Sequence, residues 1–175
     1  SAASAGGSIA FTGGSGDDSL TFDEYLAFDG GTATFDMSRG GTNTLIAGNY
    51  VARSTGTLSY IGGAGNDSLT FGDGFADSGT STLDLGGDTA SDVVTFQGTI
   101  GSGVSGSVTI RNFNFNHDTI DVELGVSATA EEIEDASGDL TWTDGDEDHT
   151  IIFEGIGSGG TGVTATTAQL LADII

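Results

Sequence analysis

"GGSGDDSLTF" spans Gly13–Phe22, and "GGAGNDSLTF" spans Gly62–Phe71. Both place glycines first, then a polar pair, then an alternating apolar run. One reading is a tight turn feeding a strand, because glycine accepts turn conformations and alternate strand residues share a face. The other is a cation site, because the acids stand where backbone oxygens of the glycine loop are also exposed.

The surroundings of the two decapeptides repeat with them. Six rows align: "IAFTGGSGDDSLTF", "ATFDMSRGGTNTLIA", "LSYIGGAGNDSLTF", "LDLGGDTASDVVTF", "VTIRNFNFNHDTIDV" and "LTWTDGDEDHTIIF". The residues opening the second run are Asp18, Asn43, Asp67, Asp92, Asp118 and His149, in steps of 25, 24, 25, 26 and 31. Two places later stand Leu20, Leu45, Leu69, Val94, Ile120 and Ile151, and two further Phe22, Ala47, Phe71, Phe96, Val122 and Phe153. Seven or eight places upstream stand Phe11, Phe35, Tyr60, Leu85, Ile110 and Trp142. A third apolar group follows each second run at Tyr25-Leu26, Tyr50-Val51, Phe75, Ile100, Val126 and Ile156.

A unit of this size cannot bury its own apolar face, and stacked neighbours complete the core. The expected fold is all-β: a parallel β-solenoid (β-roll or β-helix) of about six coils of ~25 residues each. A β-sandwich of hairpins is the alternative, disfavoured by turns of about six residues, which are long for tight hairpins. The expected organisation is one domain over 1–175: a lead-in (1–7), five coils (8–123), an insertion (124–138), a sixth coil (139–157) and a C-terminal cap (158–175). In the insertion, Ser127 ahead of Glu131, Glu132 and Glu134 suits a short helix with acids at its N-terminus.

Charge narrows the function. The chain carries 26 acids against three basic residues, for a net charge of -23. That excess argues against nucleic acid or an anionic membrane as partner. Without cysteine, thiolate metal sites and disulfides are excluded. No apolar run reaches the length of a membrane span. Stacked aspartates ~5 Å apart repel by roughly 1 kcal/mol in water, and by several near a protein surface. Stacked asparagines relieve this by hydrogen bonding and aspartates do not, whereas a divalent cation between the rungs would turn the repulsion into coordination. Hard oxygen donors select calcium.

The turns resemble the repeats-in-toxin nonapeptide, G-G-x-G-x-D-x-U-x with U a large apolar residue, which builds a calcium-loaded parallel β-roll. "GGSGDDSLT" and "GGAGNDSLT" match at each defined position. Carried over, the resemblance implies calcium as cofactor, with Gly13, Gly14, Gly16, Asp18, Gly62, Gly63, Gly65 and Asp67 in the ligand loops. The partial matches add Asn43, Gly86, Gly87, Asp92 and Asp118. The chain departs from the family in coil size and in the spacing of its two full matches, which stand 49 residues apart instead of in tandem. Arg39 also stands in the intervening turn, where a cation would compete. "SVTIRNFNFNHDTIDVE" and "TATTAQLLADII" resemble the block and apolar C-terminus that type I secretion reads, which implies a secreted or cell-surface protein.

Other constellations carry less. "TDGDEDH" offers Asp144, Asp146 and Asp148 at alternate places, and Asp144 and Asp146 are added as candidate calcium ligands. The EF-hand pattern then fails for want of its glycine and bidentate glutamate. His117 and His149 lack the partners of a zinc site. No nucleophile elbow or isolated carboxylate pair marks an enzyme. Ice binding would need threonines in columns, and the rows place them at scattered offsets. The function expected is therefore a non-enzymatic, calcium-binding extracellular structural protein that assembles with itself into a layer, fibre or lattice. Cell-surface polysaccharide is a further candidate partner. The alternative is the C-terminal folding and export module of a larger secreted enzyme or toxin.

Overall fold

The computed structural model describes residues 2–98, 100, 106–114, 117–122, 129–134, 139–144 and 147–154. Thirteen of its strands fall into two sheets. The first runs through β2 (Ser8–Thr12), β5 (Thr32–Asp36), β7 (Thr57–Ile61), β9 (Thr80–Asp84) and β11 (Ser107–Arg111). The second runs through β3 (Ser19–Glu24), β6 (Thr44–Asn49), β8 (Ser68–Phe71), β10 (Val93–Phe96) and β12 (Thr119–Val122). Every pairing among these ten strands is parallel. The chain therefore winds as a β-solenoid, with four full turns between β2 and β11 and β12 opening the next.

Alternation decides the interior. Leu45, Leu69, Val94 and Ile120 stack in one buried column, and Ala47, Phe71 and Phe96 in the next. Phe71, Phe75 and Phe96 meet with centroids 4.2 to 5.7 Å apart. Burial of each such side chain stabilises the stack by about 1.5–3 kcal/mol. Leu26, Val51, Phe75 and Ile100 close the third side, and all four are buried. The members of this third group at Val126 and Ile156 lie outside the described residues.

The third side is not an ordinary strand. A short parallel pair, β1 (Ala2–Ser4) with β4 (Leu26–Phe28), opens it. A column of alanines that starts in that pair, Ala3, Ala27, Ala52 and Ala76, adopts φ of 50 to 55°. A left-handed conformation costs a residue with a Cβ roughly 1–2 kcal/mol. Ala27, Ala52 and Ala76 are fully buried, so the stacked coils, and not glycine, hold this corner. The glycines sit just after it. A Cβ on Gly31, Gly56 or Gly79 would fall on the carbonyl oxygen of Ala3, Ala27 or Ala52 in the preceding coil.

Four expectations are corrected. In the fourth row Leu83, not Leu85, aligns with Tyr60 and Ile110, and Leu85 is buried two residues on, inside the turn. The insertion contributes a strand, β13 (Thr129–Glu134), and no helix stands among the described residues. Pairing with β14 (Asp139–Asp144) overrides the helical preference of its glutamates, as tertiary context commonly does.

The last row does not form a coil in the expected register. β14 runs antiparallel to both β13 and β15 (Glu147–Glu154), and β15 joins the first sheet through Ile151 against Val108 and Phe153 against Ile110. His149 is thus off the Asp118 column. The antiparallel turn-back ends the first sheet, while residues 158–175, expected to form the cap, lie outside the described residues.

The threonines are not scattered. Ser8, Thr32, Thr57, Thr80 and Ser107 form one outer column, and Ala10, Thr34, Ser59, Thr82 and Thr109 another. β-branched hydroxyl residues suit a pleated surface that faces water. No helix among the described residues is long and apolar enough to cross a membrane.

The glycine column gives a direct test. Gly56→Ala should lower unfolding stability by about 1–3 kcal/mol or more in a denaturant titration, because its Cβ overlaps backbone and not a movable side chain.

Candidate functional site

The two decapeptides form equivalent turns, each joining a strand of the first sheet to one of the second. The first glycine of each makes room for the aspartate. A Cβ on Gly13 would stand 2.5 Å from Asp18 Oδ2, and one on Gly62 2.7 Å from Asp67 Oδ2. The second glycine supplies a donor: the Gly14 N–H reaches Asp18 Oδ2 at 2.9 Å, and that of Gly63 reaches Asp67 Oδ2 at 3.4 Å. The later glycine faces its neighbours. A Cβ on Gly65 would fall on the Gly41 carbonyl, and one on Gly41 on that of Gly16. Gly86 approaches the Gly63 carbonyl in the same way, and Gly86 and Gly87 both hold positive φ.

The aspartates form the column that the spacing implies, and hydrogen bonds hold it. The Asp18 N–H donates to Asn43 Oδ1 at 3.3 Å, and the Asn43 N–H to Asp67 Oδ1 at 2.9 Å. The Asp67 N–H donates to Asp92 Oδ1 at 2.7 Å, and the Asp92 N–H to Asp118 Oδ1 at 3.0 Å. Each coil thus hands a backbone donor to the side chain of the next.

The residue before the aspartate works in the opposite direction. Asp17 Oδ1 accepts the Thr42 N–H, and Asn66 Oδ1 accepts the Ser91 N–H. The polar pair of each decapeptide therefore latches its coil to the following one twice, once as donor and once as acceptor.

Burial makes the column consequential. Asn43, Asp67, Asp92 and Asp118 are buried, with exposures of 0 to 5%. A buried carboxylate without partners is costly, and these have them. Asn43 Nδ2 also donates to Asp67 Oδ1, at 2.9 Å, and to the Gly41 carbonyl. The Tyr60 hydroxyl donates to Asp67 Oδ2 at 2.9 Å from inside the core. Burial, then the Asp67 carboxylate, holds the Tyr60 phenol protonated far above its ordinary range.

Asp92 is pushed up to about 7. Burial is the largest cause, and the Asp118, Asp67 and Asp88 carboxylates add to it against the Asp67 N–H. Asp118 is raised as well, chiefly by burial.

Tyr60 was not singled out as a site residue by its sequence. Its signal was available: a hydroxyl on an inward position, seven residues ahead of a ladder aspartate.

The carboxylates of this column already accept hydrogen bonds from the chain itself. Asp67 and Asp118 accept N–H or O–H donors on both oxygens, Asp18 accepts the Gly14 N–H on Oδ2, and Asp92 accepts the Asp67 N–H on Oδ1. Among the described residues, no group of three or more histidine, cysteine, aspartate or glutamate side chains is placed to hold a metal ion. Asp88 in the fourth turn differs: its Oδ1 accepts the Ala90 N–H, while its buried Oδ2 has no hydrogen-bond partner. Asp144 ends β14, and Asp146 lies outside the described residues.

Two measurements check this geometry. Tyr60→Phe should cost about 1–3 kcal/mol in a denaturant titration, because Asp67 Oδ2 then keeps only the long Gly63 bond. The Asp92 carboxyl is favoured neutral in the fold, so its contribution is full below its ordinary value near 4 and is lost as pH rises towards about 7. The melting temperature should therefore fall between about pH 4 and pH 7, and Asp92→Asn should flatten that fall. An unchanged slope in the variant would assign the dependence to other acids.

No protein-family model matches the chain, and no curated protein or solved structure does.

Proposed function

We propose that the chain is a non-catalytic structural rod that works outside the cell and is lengthened at its N-terminal end by further coils of its own kind, joining copies of itself into a fibre, layer or matrix. The observation that carries this reading is the apolar strand edge that β2 and β3 present. β2 and β3 are the terminal strands of their sheets, each with one edge unpaired among the described residues. Ile9, Phe11, Leu20 and Phe22 are only partly buried there, while their counterparts one coil on, Ala33, Phe35, Leu45 and Ala47, are fully buried.

An exposed apolar edge is a template for strand addition unless something covers it. The opposite end of the first sheet turns back through β15, β14 and β13, which favours growth at one end. Placement outside the cell follows from the resemblance of the turns and tail to exported repeats. Carboxylates spent on coil-to-coil hydrogen bonds support a non-enzymatic role.

The same open end supports a second reading, in which it receives upstream coils of a longer chain and the unit serves folding and export. Light scattering across a concentration series separates the two. Self-assembly requires particle size to rise with concentration, and Leu20→Glu should abolish the rise while strand circular dichroism is kept. A particle that stays monomeric at every concentration would leave the export module.

A further inference from the structure

We infer that the column Asp18, Asn43, Asp67, Asp92 and Asp118 is a hydrogen-bonded spine that takes the place of bound cations, so that the coils fold without a divalent ion. The inference stands apart from the assembly reading, since it concerns the fold of a single chain.

Three features of the column carry it. First, its polarity is uniform. In four successive junctions the backbone N–H of one coil meets Oδ1 of the next, at 2.7 to 3.3 Å. An N–H donated to a stacked carboxylate offsets part of the repulsion that a cation would otherwise have to neutralise, and the raised Asp92 carboxyl takes up more of it by keeping its proton. Second, the column contains an amide. Asn43 contributes no charge, and its Nδ2 bridges to Asp67 Oδ1 and the Gly41 carbonyl, which a metal-ligating carboxylate could not do. Third, the neighbouring oxygen of the central member is committed to the core through the Tyr60 hydroxyl. A calcium ion at Asp67 would have to displace the phenol, the Asn43 amide or a backbone donor, each of them buried.

The glycines take on a different duty in this light. They let carboxylate and backbone approach closely enough for hydrogen bonding, as Gly13 and Gly62 do, and let successive turns touch, as Gly41 and Gly65 do. The motif is then a packing solution whose outline coincides with that of a calcium loop.

The test is thermal melting of the whole chain, followed by strand circular dichroism, in chelator and in excess calcium chloride with magnesium chloride as control. The spine requires a strand signal and a cooperative melt in chelator. A chain that lacks the strand signal in chelator and gains it on calcium addition overturns the inference. Asn43→Asp provides the second arm. The carboxylate cannot make the two Nδ2 bonds and faces Asp67, so the variant should melt several degrees lower in both media. If calcium restores the variant to the wild-type melting temperature, the column is a cation site and the inference falls.

Discussion

Backbone donation from one coil to the carboxyl of the next is the interaction on which the rest of this fold depends. Apolar columns alone would allow a coil to slide, because leucine on leucine is satisfied in several registers. A buried N–H facing a buried carboxyl oxygen is satisfied in one, and leaving either unpaired costs about 1–3 kcal/mol. The column through Asn43, Asp67 and Asp92 therefore sets the step between coils, and the leucines and phenylalanines beside it supply the free energy. The outer latches from Asp17 to Thr42 and from Asn66 to Ser91 repeat the constraint with reversed polarity.

Glycine makes that arrangement sterically possible. Turns that stack at strand spacing bring carbonyl oxygens of one coil against the Cα atoms of the next, and a Cβ at Gly41, Gly65 or Gly86 would occupy the position of the neighbouring backbone. The third side solves the same crowding differently. Its buried alanines accept left-handed φ, and glycines follow them where the chain turns into the first sheet. Strain spread over equivalent corners is tolerable because each is held by coils above and below.

Electrostatics remains the chain's open cost. The chain carries a net charge of -23, and among the described residues most acids are exposed or half-buried, where water screens them. Two basic residues are used locally, Arg53 against Asp77 at 2.7 Å and Arg111 against Glu154 at 2.6 Å. Arg53 also lies 4.9 Å above the Tyr50 ring, which stacks on Tyr25 along the third side. The raised Asp92 and Asp118 carboxyls show the other response, in which a buried acid keeps its proton more readily than it would in water.

The sequence by itself determined the solenoid, the order of its rows and the polar column, since alternation and a step near 25 residues leave stacked parallel strands as the way to bury Leu45 on Leu69 and Phe71 on Phe96. The step also placed Asp18, Asn43, Asp67, Asp92 and Asp118 in one line. Tertiary structure alone shows which N–H groups face that line, because a row of acids at strand spacing reads the same whatever donors lie beside it. It also decided the two irregular rows. Leu83 displaced Leu85 because the fourth turn is longer, and both residues are apolar and inward-capable. The glutamate-rich segment became β13 because an available strand edge outweighs local helix preference, and β15 entered the first sheet because Ile151 and Phe153 fit Val108 and Ile110 as well as they would fit Ile120 and Val122. Alternation specifies which face of a strand is apolar; which neighbour covers it is settled by packing.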